Sequence, residues 1–170
     1  MIVCESERLI IRQFTLADAA FMLRLLNEES FILNITDKNV RNITQAEKHL
    51  QEGPMASYEK LGFGLCLVEL KTTKCPIGIC GLLKREELAH PDLGYAFLPE
   101  YCGKGYALEA ANNMLKQQLP KHSLTTVLAI TSPDNHSSNR LLQKVGFKQT
   151  GMMELYNSQN NLYEYISNIR

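Results

Sequence analysis

The chain has 170 residues, with 18 Lys plus Arg against 18 Asp plus Glu, a length that suits one domain and a balance that removes the basic footprint of a nucleic-acid binder. No apolar run approaches the roughly 18 residues of a membrane span, and "MIVCESERLI" lacks a basic region followed by an apolar core, so a soluble protein of the cytoplasm is expected. The five cysteines, Cys4, Cys66, Cys75, Cys80 and Cys102, are odd in number and form no C-x-x-C pair, which suggests neither a disulfide framework nor a zinc site and fits reduced, mostly buried thiols.

Residues 8–14, "RLIIRQF", are enriched in β-branched residues at Ile10 and Ile11 and read as a strand. Thr15 and Asp18 then form a T-x-x-D cap before a helix whose Leu16, Ala20, Leu23 and Leu26 share one face. Thr44 with Glu47 caps a second helix that Gly53 and Pro54 should stop, and "MASYEKL" is a short helix ending at Gly62. Residues 27–41 show no decisive period. "FGLCLVEL" and "PIGICGLLK" are strands joined by the polar "KTTKC", and "DLGYAFLP" is another, closed by Pro99. From Tyr106 the positions Ala107, Ala110, Ala111, Met114 and Leu115 form a helical stripe that stops before Pro120. "TTVLAIT" is a strand, "NHSSNRLLQKVG" a helix closed by Gly146, and "FKQTGMMELY" and "LYEYISNI" are a last pair of strands joined by "NSQN". One mixed α/β domain over residues 1–170 follows.

The junction "YCGKGYALEA" carries the chemistry. Gly103 and Gly105 free the backbone where a helix starts and Lys104 adds positive charge, an arrangement that suits phosphate, although the same glycines also suit a plain strand-to-helix turn. A nucleotide P-loop needs G-x-x-x-x-G-K-[ST], whereas here lysine lies between the glycines. A dinucleotide fingerprint needs a small residue at position 108, which is Leu108, and an acid after the next strand, where Ile130, Thr131 and Ser132 stand. What remains is a short cradle in which the N–H groups of Gly103, Lys104, Gly105, Tyr106, Ala107 and Leu108 converge on a pyrophosphate, such as that of coenzyme A.

These residues resemble the GNAT superfamily of acetyl-coenzyme A dependent N-acetyltransferases. Its loop signature [QR]-x-x-G-x-[GA] is matched at Gly105 and Ala107 and missed at Cys102. Downstream, Asn135, Ser138, Lys144, Gly146 and Phe147 fit the family's N-x-x-[AS] followed by a helix and K-x-G-F. The opening "ERLIIRQFTLADA" is similar to the ribosomal-protein-alanine N-acetyltransferase-like branch, so the likeness spans the chain.

The resemblance implies a GNAT-like α/β (α+β) fold: a mixed, mainly antiparallel central sheet flanked by helices, with two parallel strands splayed at the cofactor cleft. Acetyl-CoA is then the co-substrate, no metal is needed, and an amine is acetylated by direct transfer in a ternary complex. The acceptor is a protein N-terminus or a small amine, and a non-catalytic acyl-coenzyme A sensor is the reading from another class. Pantetheine is expected on the backbone of Phe97 and Leu98, with the Leu98 N–H as an oxyanion donor. Asn135 is expected to touch pantetheine or a water near the amine, or to cap the following helix. The family's tyrosine acid falls at Leu142, which leaves Ser138 either as the replacement proton donor for the leaving thiolate or as a small residue suited to close helix packing. Glu100, Glu154 and His136 are candidate bases by neighbourhood, and Tyr163 either lines the acceptor site or is core. A thiol at Cys102 beside Lys104 and a helix N-terminus should favour thiolate, and Cys102 is either a site for a mixed disulfide with free coenzyme A or an inert substitution.

Overall fold

Strands form where β-branched and apolar residues run together. The computed structural model describes residues 1–167. In it β1 (Ile2–Glu5), β2 (Leu9–Arg12), β3 (Leu65–Leu70), β4 (Pro76–Leu83) and β5 (Asp92–Phe97) pair antiparallel in chain order. β6 (Thr126–Thr131) runs parallel to β5, and β8 (Ser158–Ile166) lies between β6 and β7 (Lys148–Leu155), completing an eight-stranded sheet. This is the mixed, mainly antiparallel architecture expected.

Both sheet faces are covered, so the central strands are apolar on both sides rather than alternating. On one face α1 (Ala19–Leu26), α2 (Glu29–Asn34) and α3 (Ile43–Leu50) bury Met22, Leu25, Phe31 and Leu50 against Leu67, Ile79 and Leu98. On the other, α5 (Tyr106–Lys121) and α6 (His136–Val145) bury Ala110, Met114, Leu119 and Leu142 against Leu82, Leu93 and Val127. Among the described residues no helix is long and apolar enough to cross a membrane.

Several local expectations are corrected. The cap of α3 is Asn42, whose side chain accepts from Gln45 N at 2.8 Å, two residues ahead of Thr44. Pro54 does not stop that helix: a π turn over Gln51–Met55 absorbs the missing donor and leads into α4 (Ala56–Leu61). Pro120 likewise sits inside the last turn of α5. The turn between β7 and β8 is not "NSQN" but Tyr156 and Asn157, both at positive φ, and Ser158 already belongs to β8. Asn168 and Ile169 of the expected last strand lie outside the described residues.

Candidate active site

β5 and β6 share a single pairing, Asp92 with Leu128, and then part. Beyond it opens a cleft of about 600 Å3, running from the start of α5 past Tyr95 and Phe97 to α2 and Tyr156. The hydrogen bonds determine which backbone groups face it. Leu128 N donates to Pro91 O on the β6 side, and Leu98 N donates to Ile77 O on the β4 side, both at 2.9 Å. Backbone groups alternate sides along a strand. Tyr95 and Phe97 therefore turn their N–H and C=O groups toward the cleft, while Ala96 and Leu98 turn theirs to β4. The expectation for Leu98 is thus corrected: its N–H is taken and its side chain is buried with Leu67 and Ile79. The free backbone groups on that edge belong to Tyr95 and Phe97, a parity that only the register with β4 reveals.

At one end of the cleft α5 begins without a cap. Its N-cap Gly105 is left-handed at φ 83° and contributes no side chain, so the N–H groups of Tyr106, Ala107 and Leu108 have no carbonyl behind them. A helix N-terminus of this kind favours phosphate, and an alanine Cβ at Gly103 would meet nothing within 4 Å, leaving room for one. Arg8 braces the loop from outside. Its guanidinium donates to Glu109 Oε1 at 2.8 Å and to Lys104 O at 3.0 Å, and it stacks 4.3 Å from the Tyr106 ring. That brace had no signal in the sequence. Cys102 is exposed at the cleft rim, but burial and then Glu100 push its thiol pKa up, opposite to the thiolate expected beside Lys104.

Deeper in, the Tyr95 and Ser138 hydroxyls are hydrogen bonded to each other. Burial raises the Tyr95 pKa, with the Ser138 bond opposing, so the phenol keeps its proton. Asn135 is the N-cap of α6 and its Oδ1 accepts from Ser138 N at 3.3 Å, the capping alternative realised at the cleft edge. Leu142, at the family's tyrosine position, is fully buried. Asn139, overlooked in the sequence, holds this corner: its Oδ1 accepts from Thr131 Oγ1 at 2.5 Å, Tyr163 OH at 2.9 Å and Asn161 Nδ2 at 3.2 Å. Tyr163 is therefore core, 1% exposed, and does not line the cleft.

None of the three candidate bases reaches the cleft lining. Glu100 is exposed and paired with Arg24 at 2.6 Å, and Glu154 and His136 are exposed. The titratable side chains on the α2 side are instead Arg85, Asp92 and Tyr156. Asp92 is 1% exposed and lies 3.3 Å from Arg85 Nε; burial raises its pKa and Arg85 opposes that. Among the described residues no cluster of three His, Cys, Asp or Glu side chains is placed to hold a metal ion.

The splayed strand pair and the uncapped start of α5 both lie inside a segment that matches a known family. The model of the acetyltransferase (GNAT) domain matches residues 8–148. The chain belongs to the GNAT acetyltransferase family. An uncharacterized N-acetyltransferase of Bacillus subtilis, YoaA, is 29% identical over 159 residues, covering 93% of this chain and 89% of the relative. An acetyltransferase structure from Agrobacterium tumefaciens superimposes with a TM-score of 0.82 at 20% identity, covering 96% of this chain and 93% of that one. RimL, a ribosomal alpha-N-protein acetyltransferase solved with coenzyme A, superimposes with a TM-score of 0.81 at 16% identity over 98% of both chains. At these identities the structural likenesses establish the fold. Membership makes the protein an acyltransferase with acetyl-coenzyme A as co-substrate.

Proposed function

We propose that residues 1–170 form one acetyltransferase domain that moves an acetyl group directly to a primary amine, with a protein N-terminal α-amine as the acceptor. The observation that carries this reading is the single β5–β6 pairing, which leaves one continuous cleft from α5 to α2 and lets donor and acceptor be held together. Acetyl-coenzyme A supplies a thioester carbonyl as electrophile and a thiol as leaving group. The N–H groups of Gly103, Lys104, Gly105, Tyr106, Ala107 and Leu108 bind its pyrophosphate, and Lys104 adds charge at the rim. Tyr95 and Phe97 pair with pantetheine through the backbone edge that β6 leaves free. Tyr95 and Ser138 together hold the proton for the departing sulfur, and Asn135 fixes Ser138 through the cap.

An α-amine, with a reference pKa near 8, is about one tenth neutral at pH 7 and needs less help than lysine, near 10.4. The lack of a free carboxylate in the cleft lining fits such an acceptor. A small amine is the second reading, supported by α2 and the Tyr156 turn, which wall the acceptor half. Thiol release from acetyl-coenzyme A against a panel of peptides and small amines tests all of this. Release with N-terminal peptides alone supports the first reading and release with small amines alone the second. Cofactor binding without thiol release under any amine would make the protein a sensor.

A further inference from the structure

At the edge of the acceptor half, positive charge gathers around one cleft-lining phenol, Tyr156, with Arg85 in the lining and Lys38 behind it. Tyr156 OH accepts from Lys38 Nζ at 2.9 Å and from Arg85 Nη1 at 3.0 Å, and both cations also lie over its ring. Arg85 is offset by the buried Asp92, the one carboxylate among the cleft's lining residues. Lys38 has no carboxylate partner among the described residues. The positive charge of Lys38 is therefore left unbalanced beside Tyr156, which is 40% exposed. Two donors already occupy the lone pairs of the Tyr156 oxygen, so its own hydrogen must point elsewhere, and the open side is the cleft. The phenol reports the resulting field: burial alone would raise its pKa, yet Lys38 and Arg85 bring it below the ordinary value. Any other anion placed there would gain from the same field, and a second ammonium would be repelled.

We infer that the acceptor is an amine carrying a carboxylate a few bonds from its nitrogen, and that Lys38 and the Tyr156 hydroxyl hold this carboxylate with Arg85 beside them. In a peptide the group is an acidic side chain next to the N-terminus; polyamines and basic N-termini are disfavoured. This deepens the acetyl-transfer reading and rests on it. The contacts are charge-assisted hydrogen bonds in a partly dry site, which favours the charged ligand over its neutral isostere by about tenfold.

The test separates binding from turnover. With saturating coenzyme A, calorimetry compares the product-like peptides N-acetyl-Ala-Glu-amide and N-acetyl-Ala-Gln-amide, with a phosphoserine peptide as a third ligand. Thiol release is then followed with the unacetylated peptides. The glutamate peptide should bind about tenfold tighter, and the preference should fall to about twofold or less in Lys38→Met and weaken in Tyr156→Phe and at raised salt. Equal binding of glutamate and glutamine peptides, or a preference unchanged in both variants, would overturn the inference. So would a preference for phosphoserine with none for glutamate. Binding preference without thiol release would keep the charge site and remove the acetyl-transfer reading; thiol release without charge preference would do the reverse.

Discussion

The Leu98 N–H is bonded to the Ile77 carbonyl at 2.9 Å, and through strand alternation that bond assigns the cleft-facing groups of β5 to Tyr95 and Phe97. Amide exchange checks the assignment. Leu98 should be protected from exchange in the free protein, whereas Tyr95 and Phe97 should exchange readily and become protected on adding coenzyme A. Protection gained at Leu98 and Ala96 instead would refute the register.

The hydroxyl pair of Tyr95 and Ser138 should act as one donor. Positioned general acids contribute at least about a hundredfold, so Tyr95→Phe should lower kcat by about that factor with little change in the acetyl-coenzyme A KM. Ser138→Ala should cost about tenfold, since the phenol remains. The sign of the pH dependence follows from burial, which raises the Tyr95 pKa above its ordinary 10 against the opposing Ser138 bond. A donor with a raised pKa stays protonated until the pH passes that value. The kcat profile should therefore show no alkaline fall from this group below about pH 10, and a fall near neutrality that vanishes in Tyr95→Phe would refute the assignment.

Arg8 is exposed yet reaches Glu109, the Lys104 carbonyl and the Tyr106 ring at once. Its loss should loosen the pyrophosphate loop rather than the core. Arg8→Ala is expected to raise the coenzyme A Kd several-fold while Tm stays nearly constant. Arg8→Lys should not restore it, because an ammonium lacks the planar fork that serves a carboxylate and a carbonyl together. Equal losses in affinity and Tm would mean the residue is merely structural.

The features readable in the sequence are those set by short-range forces. Gly105, Ala107 and the stripe of α5 were legible because cap and helix period are local. The Tyr95 edge was not, since it depends on which neighbour strand takes which residue. Tyr156 was invisible for the same reason: its partners Lys38 and Arg85 lie 118 and 71 positions away. Cys102 failed because partial burial and then Glu100 raise its thiol pKa, while the Lys104 ammonium lies over the Tyr101 ring instead. α2 has only six residues and is held by Phe31 packing rather than by period, so the segment after Asn27 carried no readable pattern.

Asn139 gathers three donors from β6 and β8 onto one oxygen, which ties the end of the splayed strand to the helix carrying Ser138. Of those donors, Tyr163 is 1% and Thr131 7% exposed, so neither can turn to water when the acceptor is removed. A buried donor left unpaired costs about 1–3 kcal/mol, whereas deleting the donor itself costs about 1. Asn139→Leu should therefore destabilise the fold by about 2–4 kcal/mol in denaturant titration, and Tyr163→Phe by about 1. In the double variant one orphaned donor is gone, so its cost should be less than the sum of the two. Strict additivity would show that the two side chains do not share the bond described. Because the same oxygen positions α6, Asn139→Leu should also lower kcat at temperatures where it is fully folded, and Tyr163→Phe, which leaves Thr131 and Asn161 on that oxygen, should lower it less.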